Sequence, residues 1–475
     1  MLLALIAATG IALVTQDQVA LRATPSDSAP TQAQLWAGDS LEVRGSRLDY
    51  LQVWDHRRER GGYVRASQVR MTSLEPQQAT DLMAVVRFLR ETPGAESLGI
   101  AYTAAYLRSV PAPALTAEPF DALGTFTARL ADRASARQGS AAITAHLEVA
   151  ASYGVKLDTL EREGTMRICY DGEAFRRVLA IPGATAEQRA RAALGLTRAE
   201  CIDPDLLPGQ RHAVNRWRAD VLDRVEPAQF AQLGEAMKNR LHMRRAAVWS
   251  TLAFEAMRFD DTPAASAAQR SLDELAAVNL KELSDDDQVA YHDAAIRAGS
   301  SRWAAQSFVA ASAATARLSI ETQPGQPGET CVMLVDPSHD AAHALLRRCT
   351  FGTVWTGSAS VNPNQKALAL AVQPLDGWRE LWLFRKSGAN WIVDIVPPSI
   401  DGPELGYVEF AGWVPGGERM LVARETSVDG RYKRRFEVLR LDSLAVEKWA
   451  TQPDQVGLFL RWQDPVWKRT TVSVR

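Results

Sequence analysis

The chain has 475 residues, of which 46% are hydrophobic, so it can bury several cores and two to four domains are expected. Its formal net charge of −2 provides no basic field, which argues against a nucleic-acid partner. The basic clusters Arg57–Arg58 and Lys433–Arg435 flank predicted turns, and we interpret them as solvated loop charge.

Several catalytic signatures are absent from the sequence. No Gly-Lys pair occurs, which excludes a P-loop, and no two glycines are separated by one residue, which excludes the dinucleotide fingerprint. The Ser-x-x-Lys and Gly-x-Ser-x-Gly patterns of two hydrolase classes are also missing. The sequence therefore favours a non-catalytic protein without a cofactor.

The N-terminal run Met1–Leu13 is apolar. It is shorter than the roughly 20 residues of a transmembrane helix, so no transmembrane span is predicted. Its length and composition are typical of a secretory signal peptide, and the small residues Gly10–Ala12 predict cleavage after Ala12. We expect a signal peptide over residues 1–12 and a periplasmic or secreted protein. The alternative is a buried N-terminal segment.

Residues 15–70 alternate apolar and polar side chains in short runs. Turn residues interrupt these runs every eight to twelve residues. This pattern predicts short antiparallel strands, and so few residues would close into a small barrel without exposed edges. The polar, turn-rich segment Thr72–Pro76 predicts a linker that makes this barrel a detachable module.

The same residues resemble the bacterial SH3-like (SH3b) domain family. The resemblance is carried by Val19–Ser26 (VALRATPS), Gly38–Val43 (GDSLEV), Tyr50–Val53 (YLQV) and Gly62–Ser67 (GYVRAS). It implies an SH3-like barrel over residues 13–72, a groove with Tyr50, Trp54 and Tyr63, and a cell-wall or protein or peptide ligand at the envelope. The family usually has Asn at the place of Ala20, and Trp at the places of the two tyrosines. Many such domains are plain spacers, which is the alternative.

The four cysteines are Cys169, Cys201, Cys331 and Cys349. An even number without CxxC spacing favours disulfides over zinc in an exported protein. Cys169 is expected on a helix, and Thr185 with Gln188 forms a capping box for the next helix. A helical hairpin would bring Cys169 near Cys201, while the other two cysteines lie symmetrically about residue 340. The predicted pairs are Cys169–Cys201 and Cys331–Cys349.

Residues 76–313 have a helical pattern. Apolar side chains recur on one helical face, and Pro or Gly interrupts the pattern every 12 to 20 residues. Such segments predict antiparallel helix pairs that stack as a bundle or an irregular solenoid. The acidic run Asp285–Asp287 after Ser284 is interpreted as a helix N-terminus, because it lacks the ligand spacing of a calcium loop.

From residue 317 to residue 475 the pattern has period two and predicts an all-β domain. A weak repeat of 52 residues aligns Ser360–Leu370 with Gly412–Val422, with four strands in each unit. The repeat resembles propeller blades, and a third copy would begin at Arg461. The rival architecture is a β-sandwich or an open stacked sheet. Eight of the thirteen tryptophans lie in this region, and we interpret them as core residues and not as a platform for sugars.

One spacing has the appearance of a metal site. His339 and His343 would share one face of a helix and could hold zinc there. The alternatives are a polar loop between disulfide-paired strands, or a zinc site that includes Cys331 and Cys349. No metal is predicted, and His339 and His343 are the candidates if one binds.

The sequence thus predicts a multidomain α+β protein with an SH3-like barrel, an α-helical array and a propeller-like or sandwich β domain. The predicted function is non-catalytic binding or scaffolding at the cell envelope, with an unknown ligand. The alternative is a secreted metal-dependent hydrolase that uses the region of His339 and His343.

Overall fold

The computed structural model describes residues 10–162, 164–259, 263–305, 317–400, 405–428 and 430–470. The chain divides into two compact units, which are residues 1–207 with 221–233, and residues 208–220 with 234–475. The predicted domain boundaries at residues 13, 76 and 317 are not boundaries between these units, and they stay predictions. Residues 1–9 of the predicted signal peptide lie outside the described part of the chain.

The first unit begins with one antiparallel sheet. Its strands are Ile11–Val14 (β1), Val19–Arg22 (β2), Thr31–Leu35 (β3), Ser40–Arg47 (β4), Tyr50–Asp55 (β5), Arg60–Arg65 (β6) and Val69–Thr72 (β7). They pair in the order β3-β2-β6-β5-β4-β1-β7, and apolar residues from the first six strands share one buried cluster. The antiparallel strands are confirmed, whereas a closed barrel is not shown, because the pairing order ends at β3 and β7.

Strand β1 contains the predicted cleavage site. Ala12 is fully buried and pairs with Leu41 of β4 and Met71 of β7. Cleavage after Ala12 would therefore remove half of a strand that has hydrogen-bonded neighbours on both sides. Ala12, Leu13 and Val14 are buried in the sheet, and the signal peptide over residues 1–12 stays a prediction.

The helices of the first unit follow the sheet. They are Ala79–Arg90 (α1), Glu96–Ser109 (α2), Glu118–Ala136 (α3), Ala141–Ser152 (α4), Glu173–Ala180 (α5), Ala186–Leu196 (α6) and Pro227–Phe230 (α8), while Pro208–Asp223 (α7) has residues in both units. A helix was predicted where the structure has a β-hairpin, formed by Leu157–Arg162 (β8) and Thr165–Tyr170 (β9). Short strands with few apolar residues resemble a helix surface, which explains the error.

The sheet and the helices of this unit share a core, so the predicted linker does not separate independent cores. Leu13 of β1 belongs to a buried cluster made mainly by α1, α2 and α3. The Tyr153 hydroxyl donates a hydrogen bond of 2.6 Å to the Gly38 carbonyl. Gly38 has φ +96°, and a β-carbon there would lie 2.6 Å from the Ser97 carbonyl oxygen, so this turn approaches α2 as only glycine allows.

The second unit combines helices with two sheets, a three-stranded antiparallel sheet and an eight-stranded sheet that contains one short parallel pairing. Its helices are Glu235–Phe259 (α9), Ala264–Ala276 (α10), Asp285–Ser301 (α11), Gly457–Trp462 (α12) and Pro465–Thr470 (α13). Its strands are Ser319–Pro324 (β10), Thr330–Val335 (β11), Leu346–Thr350 (β12), Thr353–Val361 (β13), Ala367–Leu375 (β14), Trp378–Ser387 (β15), Asn390–Val396 (β16), Leu405–Trp413 (β17), Arg419–Val428 (β18), Arg431–Arg440 (β19) and Val446–Ala450 (β20). The Ser284 hydroxyl accepts from the Asp287 amide at 3.2 Å, which confirms the predicted helix start.

The repeat in the sequence corresponds to two four-stranded antiparallel meanders. Strands β13–β16 form the first and β17–β20 the second, joined by a short parallel pairing of β15 with β17. One apolar cluster lies between the two meanders, and another lies between the first meander and the sheet β10-β11-β12. The two meanders and the three-stranded sheet are therefore stacked face to face. The predicted third copy is wrong, because the chain after residue 456 forms α12 and α13, which are helices.

A buried ion cluster joins the end of α11 to the stacked sheets. Glu409 of β17 accepts from the Arg302 guanidinium at 3.0 Å and lies 3.0 Å from Arg379 of β15. All three side chains are almost completely buried. Burial alone would raise the pKa of Glu409, but the two guanidinium groups hold this pKa below its ordinary value. The cluster thus keeps a carboxylate charged inside the core.

Both predicted disulfides are present. Cys169–Cys201 has a Cα–Cα distance of 5.7 Å, and Cys331–Cys349 joins directly opposed residues of β11 and β12. The route to the first pair differs from the prediction, because Cys169 lies on β9 and Cys201 in a short 3₁₀ turn. The capping box of Thr185 and Gln188 is present as predicted.

We expect removal of the Cys169–Cys201 bond to destabilise the first unit by about 3 to 4 kcal/mol, because the bond closes a long loop in the unfolded chain. The loop spans 32 residues. The variant Cys169→Ala/Cys201→Ala should show this loss in urea denaturation. Peptide mapping without reduction should recover a Cys169–Cys201 peptide, and a Cys201–Cys331 peptide would contradict the pairing.

Candidate ligand-binding surface

The aromatic residues of the predicted groove lie on one face of the N-terminal sheet. Tyr50 and Trp54 are two alternations apart on β5, and Tyr63 of β6 pairs with Gln52, which lies between them. Opposed residues of antiparallel strands share a face, so all three rings project from the side opposite Val53 and the buried cluster. The structure therefore brings the three predicted residues together.

Tyr50 is occupied by internal contacts. Its side chain is only 3% exposed, and its hydroxyl donates a hydrogen bond of 2.6 Å to Asp27. Arg65 bonds to both Asp27 and Asp49, and its guanidinium lies 5.2 Å from the Tyr50 ring centroid. The hydrogen bonds from Arg65 and then Tyr50 lower the pKa of Asp27. Tyr50 thus anchors the loop between β2 and β3, and it offers little surface to a ligand.

Trp54 and Tyr63 are half-buried and face solvent in part. The Trp54 indole covers Gly61 of the neighbouring strand, where a β-carbon would lie 3.2 Å from the ring. The Arg44 guanidinium lies 4.6 Å from the ring centroid. Because Gly61 has no side chain, the indole packs flat against the sheet at this position. The edge of the indole and the Tyr63 ring remain accessible to a ligand.

Three polar groups that the sequence did not indicate border Trp54. Glu42 lies opposite Trp54 on β4, and its carboxylate bonds to Arg44 at 3.2 Å and His56 at 2.6 Å. The hydrogen bonds from Arg44 and then His56 lower the pKa of Glu42. Only the pairing register reveals this group, because its members come from two separate stretches of chain, residues 42–44 and 54–56. An aromatic patch with a polar border is suited to binding by stacking and hydrogen bonds.

Comparisons with protein-family models, curated proteins and solved structures found no match.

The predicted histidine pair does not lie on a helix. Between the disulfide-linked strands β11 and β12, the chain forms a polar loop with one 3₁₀ turn, Ala341–His343. His339 bonds to Asp336 at 2.8 Å and His343 to Asp340 at 3.1 Å. The loop alternative is thus the observed one, and the shared helical face that would have aligned both imidazoles is absent.

A zinc site with both cysteines is also contradicted, because Cys331 and Cys349 form a disulfide. Within the described residues, the one group of three possible metal ligands is Glu329 with these two sulfurs. A disulfide sulfur has no thiolate charge to offer a metal, so this group lacks the donors that zinc requires.

A cavity that the sequence did not predict lies across the turns of the two meanders. It has a volume of about 900 Å³ and is lined by turn residues from the same end of both meanders, including Lys366, Lys386 and Arg419. The Asn362 amide donates to the Gly417 carbonyl at 3.1 Å and ties the two sets of turns together. Since Arg385 and Arg440 already pair with Asp394 and Asp442, much of the charge in this cavity is internally neutralised.

Two disulfides indicate an oxidising, non-cytoplasmic compartment. Among the helices that the structure describes, none has both the length and the apolar character required to cross a bilayer.

Proposed function

We propose that the protein is a non-catalytic binding or scaffold protein of the cell envelope, periplasmic or secreted, whose SH3-like module takes a cell-wall or peptide ligand. The observation that carries this proposal is the placement of Trp54 and Tyr63 on one solvent-facing side of the N-terminal sheet. The resemblance to SH3b domains predicts a ligand groove with these residues.

The polar border supports a binding role for this surface. Hydrogen-bond donors and acceptors surround the Trp54 ring, and they come from Glu42, Arg44 and His56. The ring itself is held in place by packing against Gly61. A rigid ring loses little conformational entropy when a ligand packs against its edge. We therefore assign ligand contact to Trp54, Tyr63 and the polar border, and loop anchoring to Tyr50.

We expect Trp54→Ala to weaken ligand binding about tenfold or more, because truncation of an aromatic hot-spot residue costs about 2 kcal/mol or more. The measurement is co-sedimentation of the full chain with purified peptidoglycan sacculi, together with pull-down from envelope extracts. Tyr63→Ala should act in the same direction. Tyr50→Phe should leave binding close to that of the unchanged protein, since it removes only the bond to Asp27.

The matched control is Trp217→Ala, which removes a partly exposed tryptophan from α7. It should leave binding unchanged. If Trp54→Ala binds sacculi and envelope proteins as well as this control does, the aromatic surface is not a binding site and the module is a spacer.

A further inference from the structure

Three cations form a row on one face of β19. Arg431, Lys433 and Arg435 occupy alternate positions and are exposed, whereas Tyr432 and Arg434 between them are half-buried on the other face. The pairing of β18 with β19 has no register shift, so the three side chains project from the same side. The interpretation of this cluster as loop charge is wrong, because its residues belong to a paired strand.

An exposed tryptophan continues the row onto the next strand. Trp449 of β20 pairs with Glu437, is 51% exposed, and lies with its ring centroid 4.6 Å from the Arg435 guanidinium. Its interpretation as a core residue is therefore wrong. Alternate residues of a strand are about 7 Å apart, so the surface presents regularly spaced cations that end at an aromatic ring. We call Arg431, Lys433, Arg435 and Trp449 the β19 row.

The row keeps its positive charge. The neighbouring cation Arg424 pairs at 3.1 Å with Glu437, the buried acid on the same face of β19. Within the described part of the chain, Arg431, Lys433 and Arg435 have no comparable acid partner. Three like charges on one strand face raise the local potential and favour an anionic ligand.

We propose that the β19 row binds an extended acidic polysaccharide, with acidic groups at the three cations and a sugar ring on Trp449. The regular spacing suits a polymer with repeated charges better than one small anion. The row has one aromatic ring, whereas single-stranded nucleic acid is typically bound by several rings that stack successive bases. The Cys331–Cys349 bond also places this unit in an oxidising compartment, away from most nucleic acid.

The test is binding of the full chain to polygalacturonate, followed by tryptophan fluorescence and by co-sedimentation at several salt concentrations. The variant Arg431→Gln/Lys433→Gln/Arg435→Gln should bind at least tenfold more weakly at low salt. The slope of log Kd against log salt should fall by about 2, if each cation displaces counterions as on a single-stranded polyanion. Trp449→Ala should weaken binding, and Trp449→Phe should retain most of it.

The control Lys366→Gln/Lys386→Gln removes two exposed lysines from the cavity at the meander turns, and it should bind like the unchanged protein. Dextran, which is neutral, should not bind. If the triple variant folds poorly, the single variant Lys433→Glu provides the same test. Unchanged binding by the row variants, an equal loss in the lysine control, or tighter binding of oligo(dT) at the same row would each overturn the proposal.

Discussion

A chain that begins at Pro76 should aggregate, because the helices of the first unit should fail to fold without the N-terminal sheet. The polar linker in the sequence led to the opposite expectation, a detachable barrel. In the structure, Leu13 lies within the cluster formed by α1, α2 and α3, so removal of the sheet exposes the apolar face of these helices. The turn at Gly38 and its bond from Tyr153 would be lost as well. Purification followed by circular dichroism and size-exclusion chromatography gives the answer.

A single substitution tests the same contact in the full chain. Leu13→Ala should destabilise the first unit by about 2 to 5 kcal/mol, as expected when a buried leucine leaves a cavity. Leu13 is 2% exposed, while the control residue Leu48 of the same unit is 87% exposed, so Leu48→Ala should have little effect. Two results together would support a detachable barrel. The chain from Pro76 onward would be soluble and helical, and the two leucine variants would have equal effects on stability.

Glu409→Gln should destabilise the second unit by about 3 to 5 kcal/mol, because it leaves two buried guanidinium groups without their counter-charge. Arg302 and Arg379 are almost completely buried, and neither can move to solvent without opening the stack. The matched control is Asp442→Asn, which breaks an exposed pair with Arg440. Exposed pairs contribute about 0 to 1 kcal/mol, so the control should be almost neutral. Urea denaturation of both variants measures the difference.

The effect of Glu409→Gln should depend on pH. The pKa of Glu409 is lowered in the folded protein, so its charge stabilises the fold above the unfolded pKa, and this contribution is lost as pH falls through the folded pKa. The stability difference between the unchanged protein and the variant should be largest above about pH 5 and should shrink in acid. An equal difference at every pH would show that the variant acts through packing and not through charge.

The local patterns of apolar and polar residues predicted many elements correctly. The strands between residues 11 and 72 follow the alternation of apolar residues, and Ser284 begins a helix as predicted. The two copies of the 52-residue repeat correspond to two meanders of four strands each. These features depend on neighbouring residues, whose spacing is visible in any sequence window.

Other predictions failed where a residue's meaning depends on its partners. The hairpin β8–β9 and the helices after residue 456 are short, and short elements take their conformation from the surfaces on which they pack. The local pattern predicts a loop at Lys433–Arg435 because turn residues flank this cluster. Only its pairing with β18 shows that alternate cations share one face.

Spacing and side-chain chemistry along the chain predicted the two cysteine pairs, the coarse order of a β region, a helical region and a second β region, and the aromatic residues of the N-terminal sheet. Folding is needed to show that Tyr50 anchors a loop while Trp54 is partly exposed, and that β1 shares a core with the helices after the linker. Folding also brings Glu409 into contact with two arginines. These contacts join residues far apart in the chain, and their energies come from burial and charge pairing that exist only after folding.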